Sequence, residues 1–256
     1  MRNKLTDELA ICGMNAVLAA AEYHPEKINR LFLREERLNS LLGICKQLAE
    51  RKRPYKICED EELERICKSV HHQGVVAMIE EPDVASLGRE ELDYWAAEGK
   101  TGLLLHSVGN DHNLGAIARA AAFFDVFFIV LNEKDSEARL TTSAFRVAEG
   151  GFEHLTVRKV GNTAAFLKDA SKQLVTVGTD IRARQRIGDL AGLMKDPQFR
   201  RGRSGVALVL GNEEIGLPRD IKDQCSCLLR IPGTGNIESL NVAQAAALFL
   251  YTVFEL

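Results

Sequence analysis

From residue 101 onward, short apolar runs alternate with segments of helical length, and this alternation constrains the fold more than any other feature. Runs that are apolar on both faces and separated by helices are typical of a parallel sheet covered by helices on both sides. The sequence therefore predicts a mainly parallel α/β fold for residues 101–256. The predicted strands are 103–108, 126–131, 155–157, 174–178, 206–210 and 228–231.

The residues before this region predict a smaller α/β domain over 1–80. Apolar residues at helical spacing and short β-rich runs alternate here as well. The predicted helices are 8–23, 38–52 and 61–70, and the predicted strands are 28–33 and 74–79. Residues 81–100, with one short helix around 89–97, are predicted to be a linker to the domain at 101–256.

Composition narrows the class of protein. With 46% hydrophobic residues and a net charge of −3, the chain has material for a core and is not basic overall. A local basic patch is nevertheless enough to bind nucleic acid. No apolar run reaches the roughly 18–20 residues that span a bilayer, and the N-terminus lacks the apolar region of a signal peptide. We therefore expect a cytoplasmic protein without membrane contact. The six cysteines form no C-x-x-C pair, so no metal site is expected.

Polar segments follow three predicted strands, which is where ligands bind in open parallel sheets. The first contains Asn113, Gly115 and Arg119 after the strand 103–108. Asn113 is suited to cap the following helix, and an arginine at the mouth of a sheet is suited to bind a phosphate or a developing oxyanion. For this segment alone, an ordinary cap and a solvated arginine are an equal alternative.

The second and third segments have the same position relative to their strands. Residues 211–218 combine Gly211 with the acceptors Asn212 and Glu213, although a plain strand-to-helix turn explains them too. Residues 231–242 form a glycine-rich loop that leads to Ser239 and Asn241 at the start of an apolar helix. Such a loop beside a helix N-terminus is suited to bind a carboxylate or a sugar.

Taken together, the three segments resemble the motifs of the SpoU/TrmH family of SPOUT methyltransferases. The first motif, N-x-G-x-x-x-R, corresponds to Asn113, Gly115 and Arg119. The second, G-x-E-x-x-G, and the third, I-P-x-x-G-x-x-x-S-L-N-V, follow in the order of the family. Their matching residues are Gly211, Glu213, Gly216, Ile231, Pro232, Gly235, Ser239, Leu240, Asn241 and Val242. Residues 12–17 and 72–77 also resemble the L30e-like substrate-binding domain of ribosomal RNA members.

The resemblance implies a trefoil-knotted C-terminal domain, a homodimer and S-adenosylmethionine as cofactor. It implies cofactor contacts, largely through the backbone, at Gly211, Ile231 and Leu240, and it implies that Gly178 and Thr179 add to the adenosine pocket. Arg119 is expected to stabilise negative charge on a ribose 2′-oxygen. The remaining catalytic candidates would orient Arg119, the ribose or the methionine moiety; they are Asn113, Glu213, Ser239 and Asn241.

The substrate implied by the resemblance is transfer or ribosomal RNA. Arg182, Arg184 and Arg186 follow the segment 178–180 and are the predicted RNA contacts, although charge runs are often merely solvated. A non-catalytic RNA-binding or assembly factor that kept the fold is an alternative. A nicotinamide-dependent oxidoreductase is disfavoured because the sequence has no G-x-G-x-x-G after a strand.

Overall fold

The computed structural model describes residues 2–3, 7–134 and 140–256. The strands are β1 (Arg2–Asn3), β2 (Glu8–Cys12), β3 (Ile28–Leu33), β4 (Tyr55–Ile57), β5 (Val75–Glu80), β6 (Thr101–Leu105), β7 (Phe128–Asn132), β8 (Thr156–Val160), β9 (Val175–Thr179), β10 (Gln185–Arg186), β11 (Val206–Leu210) and β12 (Cys227–Arg230). The α-helices are α1 (Met14–Tyr23), α2 (Leu42–Glu50), α3 (Asp60–Cys67), α4 (Arg89–Ala97), α5 (Asp111–Phe123), α6 (Thr142–Ala148), α7 (Thr163–Ala170), α8 (Leu190–Lys195), α9 (Pro197–Arg200), α10 (Arg219–Lys222) and α11 (Val242–Phe254). None of the described helices is long and apolar enough to cross a membrane.

The chain forms two compact units. Unit 1 contains the described residues up to 83 together with 140–154, and unit 2 contains 84–134 and 155–256. The sheet of unit 1 has the order β1-β2-β5-β3-β4, in which β5 pairs antiparallel with both β2 and β3. Helix α6, which lies far along the chain from the rest of unit 1, packs against β2.

The predicted helix over residues 8–23 is wrong in its first part. Residues 8–12 form strand β2, and α1 begins only at Met14. Leu9, Ala10 and Ile11 are buried between β1 and β5, and a short run that is buried on every side carries no helical face for periodicity to detect. Gly13, with φ of 96°, makes the turn from the strand into the helix. The predicted strand 28–33 is confirmed as β3.

The sheet of unit 2 is parallel throughout and has the order β10-β12-β9-β11-β6-β7-β8. It contains the six predicted strands with ends shifted by a few residues, so the predicted fold class is confirmed. The two-residue strand β10 was not predicted. Strand β11, buried along its whole length, pairs with β9 on one side and β6 on the other.

Helix α4 packs into the core of unit 2, although its sequence position suggested a linker. Trp95 is completely buried beneath Gly102, where a Cβ atom would lie 2.2 Å from the indole ring. The indole nitrogen donates a hydrogen bond of 3.0 Å to the Lys100 carbonyl oxygen. The glycine in β6 is therefore required by the tryptophan in α4.

Candidate functional site

The three polar segments lie at one edge of the unit 2 sheet. Residues 106–110 follow β6, residues 211–217 follow β11, and residues 231–241 follow β12. Because these strands and β9 are parallel, their carboxyl ends meet at the same edge. The sheet thus brings together segments that are far apart in the sequence.

Three side chains from these segments form a polar cluster, defined here as Asn113, Glu213 and Asn241. Glu213 Oε1 accepts hydrogen bonds from Asn113 Nδ2 and, at 3.0 Å, from Asn241 Nδ2. Asn241 Nδ2 also lies 3.0 Å from Asn113 Oδ1, and the Val242 amide is 3.5 Å from Glu213 Oε1. One carboxylate oxygen therefore ties together the starts of α5 and α11.

The prediction that Asn113 caps helix α5 is wrong. The cap is Asn110, whose side chain accepts a hydrogen bond of 2.8 Å from the His112 amide. Asn113 lies inside the helix, where it is 9% exposed and has the polar cluster as its partner. Asn241 does cap its helix, because its Oδ1 accepts a hydrogen bond of 2.9 Å from the Ala243 amide.

Asn212, expected from the sequence only as an acceptor in the turn, links two of the segments. Its Nδ2 donates a hydrogen bond of 2.9 Å to the Ser107 carbonyl oxygen after β6. Its Oδ1 accepts hydrogen bonds from the amides of Glu214 and Ile215, at 2.8 and 3.2 Å. An asparagine that binds backbone two and three residues ahead is a common turn-former, which was the available signal. Asn212 therefore joins the first two segments independently of the polar cluster.

The glycines of these segments serve two different purposes. A Cβ atom on Gly211 would lie 2.6 to 2.7 Å from the backbone of Gly216 and Leu217, so the turn closes only with glycine. At Gly216, Gly233 and Gly235 a Cβ atom would meet no neighbouring atom within 4 Å. The backbone there faces open space, as it must where a ligand approaches closely.

This geometry agrees with the comparison with known families. The model of the SpoU rRNA Methylase family matches residues 100–251, more than half of the chain. The chain belongs to this family. A second family model, described as RNA 2′-O ribose methyltransferase substrate binding, matches residues 10–85. The predicted enzyme class and the predicted N-terminal substrate-binding region are thereby confirmed.

Relatives extend the likeness over nearly the whole chain. The 23S rRNA (guanosine-2′-O-)-methyltransferase RlmB of Xylella fastidiosa is 33% identical over 250 residues, which cover 94% of each chain. RlmB of Bordetella pertussis is 32% identical over 249 residues, with the same coverage. The crystal structure of an AdoMet-bound rRNA methyltransferase from Sinorhizobium meliloti superimposes with a TM-score of 0.78 at 22% identity, covering 98% of this chain and 88% of that one. At that identity the likeness supports the fold.

The other SpoU motif residues are not part of the polar cluster. Ser239 and Leu240 lie in the exposed loop 232–240, and Leu240 is 45% exposed. Among the described residues, Ser239 makes no hydrogen bond to the polar cluster. Ile231 is half-buried directly after β12. Their roles in binding a ligand stay predictions.

Gly178 and Thr179, at the end of β9, have packing partners of their own. A Cβ atom on Gly178 would lie 2.6 Å from Leu228 Cδ2 and 2.8 Å from Cys225 Sγ. The Thr179 hydroxyl donates a hydrogen bond of 3.3 Å to the Val209 carbonyl oxygen. Close packing therefore accounts for the glycine, and its predicted contact with the cofactor stays a prediction.

Arg119, the last residue of the first SpoU motif, lies on the exposed side of α5. It comes six residues after Asn113, which places it about 9 Å further along the helix axis. It lies off the apolar stripe of α5, where Ile117 and Ala121 are buried. The structure thus separates the motif into a buried amide and an exposed guanidinium.

The arginines predicted to contact RNA are all exposed. Arg182, Arg184 and Arg186 follow β9 and lead into β10 at the edge of the sheet. Asp180 fixes the turn before them by accepting hydrogen bonds of 2.9 Å from the Arg182 amide and 2.8 Å from Lys222 Nζ. Burial opposes the ionisation of Asp180, but the hydrogen bonds from Lys222 and Arg182 bring its pKa below the ordinary value.

Arg203 has a different environment from these exposed arginines. Its guanidinium donates hydrogen bonds of 2.6 Å to the Ser226 hydroxyl and 2.9 Å to the Arg200 carbonyl oxygen, and it lies 5.6 Å from the centre of the Phe199 ring. Burial lowers its pKa. Arg203 therefore stabilises the segment before β11 rather than presenting a free charge.

Proposed function

We propose that this protein transfers a methyl group to the ribose 2′-hydroxyl of a guanosine in ribosomal RNA. The observation that carries the proposal is the polar cluster, in which Asn113, Glu213 and Asn241 unite the three SpoU motifs at one sheet edge. The two family matches support methylation of a ribose oxygen in RNA. The choice of a guanosine in ribosomal RNA rests on the names of the RlmB relatives.

The methyl donor is S-adenosylmethionine, whose sulfonium supplies a methyl group for displacement by an oxygen nucleophile. The glycines with open space at Gly216, Gly233 and Gly235 fit such a ligand, because the backbone there is accessible. We infer that the backbone at Gly211, Ile231 and Leu240 binds the cofactor. In this arrangement the fixed turn 211–217, Ile231 and the exposed loop 232–240 provide its binding surface.

Arg119 is the residue we assign to the reacting ribose. A guanidinium keeps its proton under all ordinary conditions, so Arg119 does not act as a general base. Its permanent charge and exposed position suit it to stabilise the negative charge that grows on the 2′-oxygen. The hydroxyl proton then leaves to water or to an RNA phosphate. Ser239, in the exposed loop, is assigned to orienting the ribose or the methionine moiety.

The test is to methylate purified RNA and identify the product. The full-length protein is incubated with labelled S-adenosylmethionine and either 23S rRNA or transfer RNA, and the digested nucleosides are analysed by mass spectrometry. We expect 2′-O-methylguanosine from ribosomal RNA. A methylated base, or a product from transfer RNA alone, would contradict the proposal. Binding of RNA without any transfer would indicate the non-catalytic alternative.

We also infer that two copies associate through an aromatic surface on α5 and α11. Phe123 is 81% exposed and stacks edge-to-face on Phe124, which in turn contacts the rings of Tyr251 and Phe254. Exposed apolar patches of this kind mark interaction sites. Light scattering should give twice the chain mass of 28.3 kDa, and Phe254→Asp should shift the protein toward that single-chain mass. A single-chain mass for the unmodified protein at micromolar concentration would contradict the inference.

Two further expectations from the resemblance stay predictions. The parallel order of β9, β11 and β6 is compatible with the predicted trefoil knot. Testing the knot requires tracing the path of the chain. The cytoplasmic location follows from the proposed RNA substrate and is checked by cell fractionation.

A further inference from the structure

Strand β4 forms one edge of the sheet in unit 1 and carries two exposed side chains with large apolar surfaces. Among the described strands, it pairs with β3 alone. Tyr55 is 44% exposed and Ile57 is 46% exposed. Because they lie two residues apart in a strand, both side chains point to the same face of the sheet. The strand is not part of the SpoU motifs, so the site described above does not account for these side chains.

The other face of β4 is directed toward α3. Lys56 lies opposite Phe32 in the register with β3, and Phe32 packs against the core cluster that contains Leu63 of α3. The Nζ atom of Lys56 is 2.6 Å from Glu62 Oε1, also in α3. Lys56 is therefore matched by an acid on that face and adds little net charge to the face that carries Tyr55.

The segment that leads into β4 carries positive charge. Arg51, Lys52 and Arg53 are consecutive and exposed. Neither Arg51 nor Lys52 forms an ion pair with a residue that the structure describes. Arg53 Nη1 donates a hydrogen bond of 2.7 Å to Asn29 Oδ1, a neutral partner that leaves the charge of the guanidinium uncancelled. The exposed Glu50 at the end of α2 offsets one of the three charges, so a net positive charge remains.

Hydrogen bonds fix the backbone of this segment. The Arg53 amide donates a hydrogen bond of 2.8 Å to the Leu48 carbonyl oxygen, and the Leu31 amide donates one of 3.2 Å to the Pro54 carbonyl oxygen. Lys52, with φ of 56°, makes the turn from α2 toward β4. A surface that is arranged in advance loses less conformational freedom when a partner binds.

An unpaired stretch of nucleic acid matches this combination of groups. Its phosphates attract cations, and its free bases stack on exposed aromatic rings whatever their sequence. A double helix keeps its bases stacked on one another, so it engages the cations and not the Tyr55 ring. A peptide that paired with the free edge of β4 would use main-chain hydrogen bonds and would not need Arg51 or Lys52. The basic charge beside the ring therefore favours a single strand.

We propose that the surface formed by Arg51, Lys52, Arg53 and Tyr55 binds an unpaired stretch of the substrate RNA, with one base stacked on Tyr55. The proposal rests on the proposed function in taking RNA as the substrate. These residues lie within the match to the substrate-binding family. The proposal assigns an RNA contact to one edge of the unit 1 sheet.

The test needs neither S-adenosylmethionine nor methyl transfer. Binding of a labelled single-stranded RNA of about 12 nucleotides to the full-length protein is measured by fluorescence anisotropy, and the same strand in a duplex is compared. Tyr55→Ala should weaken binding of the single strand about tenfold, the effect of losing one stacked base, and should leave duplex binding nearly unchanged. Tyr55→Phe keeps the ring and should keep most of the affinity. Tyr23→Ala, at a tyrosine of α1 that is 47% exposed, is the matched control and should change little.

The cations are tested by the dependence of binding on salt. Arg51→Gln combined with Lys52→Gln should lower the slope of log K against log salt by about 0.7 for each phosphate contact that is lost. Lys27→Gln combined with Lys68→Gln removes the same charge from exposed side chains elsewhere in unit 1 and should leave the slope unchanged. The melting temperature should stay the same in all these variants, because every replaced side chain is exposed.

Several outcomes would overturn the proposal. Equal losses in Tyr55→Ala and Tyr23→Ala, or equal losses for the single strand and the duplex, would exclude a base stacked on Tyr55. The same salt slope in the two double variants would exclude a specific contact with Arg51 and Lys52. No binding of the single strand would leave the edge of β4 to a peptide partner. If no RNA is methylated at all, the proposed function fails while the anisotropy comparison still decides this surface.

Discussion

The turn 211–217 and the loop 231–240 reach the same edge of one sheet, yet they are constructed in opposite ways. In the turn, Gly211 packs against backbone, and the side chains of Asn212 and Glu213 each make three hydrogen bonds. In the loop, residues 232–240 are all exposed. The comparison teaches that one motif supplies a rigid support while another leaves its backbone available to ligands.

The largest effect is expected at Arg119, which is exposed like the loop although its helix is bound to the turn. Arg119→Ala should lower turnover by about 10²–10³, the usual cost of removing one donor to a developing oxyanion. The affinity for S-adenosylmethionine and the melting temperature should change little. Single-turnover methyl transfer measures the rate, and calorimetry measures the cofactor affinity and the melting temperature.

Arg119→Lys sharpens this prediction. The ammonium group lacks the planar fork of a guanidinium, so it should restore little of the activity. Near-normal turnover in Arg119→Ala would remove its catalytic assignment. Loss of cofactor binding would place Arg119 among the cofactor-binding residues instead.

The rigidity of the turn is tested at Gly211. Gly211→Ala should lower the free energy of unfolding by about 1–3 kcal/mol, because the added methyl group has no room beside Gly216 and Leu217. The matched control is Gly192→Ala in α8, where the added Cβ meets no atom and should raise stability by about 0.5–1 kcal/mol. Urea unfolding of both variants decides, and equal effects would mean that the turn is not closely packed.

A smaller loss is expected from the polar cluster. Glu213→Ala removes the shared acceptor of Asn113, Asn241 and Val242. Because Glu213 is exposed, water replaces some of these hydrogen bonds. We expect the free energy of unfolding to fall by about 1 kcal/mol. Glu214→Ala, in the same turn, should have almost no effect on urea unfolding. Identical curves for the two variants would contradict the role of the cluster.

The smallest effect on stability is expected from the exposed arginines after β9. Replacing Arg182, Arg184 and Arg186 with alanine should leave unfolding unchanged and weaken RNA binding. The slope of log K against log salt should fall by about 0.7–0.9 for each arginine that contacts a phosphate. An equal change of charge at Lys168, Lys195 and Arg219, which are also exposed, is the control. The same slope in both triple variants would indicate that RNA senses only net charge.

The fold of unit 2 was predictable because its buried strands are continuous apolar runs, as with β11 at 206–210. The start of unit 1 was not, since the apolar residues of β2 carry no period that distinguishes a strand from a helix. The motif residues Asn113, Glu213 and Asn241 were found through the family resemblance. Their mutual hydrogen bonds were not, because pairing across about a hundred residues depends on the order of strands in the sheet.

The residue roles that could not be predicted from the sequence were missed for one physical reason. Asn212 is identified as a link only by its distance to Ser107, which lies after a different strand. Glu149 meets Asn15 only because α6 belongs to unit 1, far from its neighbours in the sequence. Local patterns predict what each residue type can do, whereas these roles depend on which segments meet.

The position of β11 has a consequence for how the protein is made. Strands β6, β7 and β8 lie on one side of it, and β9, β12 and β10 lie on the other. A ribosome adds about 5–20 residues per second, so the unpaired edge of β6 waits several seconds before Val206 arrives to pair with Thr101. Such an edge is a template for pairing with other chains. A nascent chain that stalls before residue 206 therefore carries the half-sheet β6-β7-β8 with an open edge at β6, while β9 still lacks both of its neighbours, β11 and β12. Completing β11 is the step that covers the β6 edge.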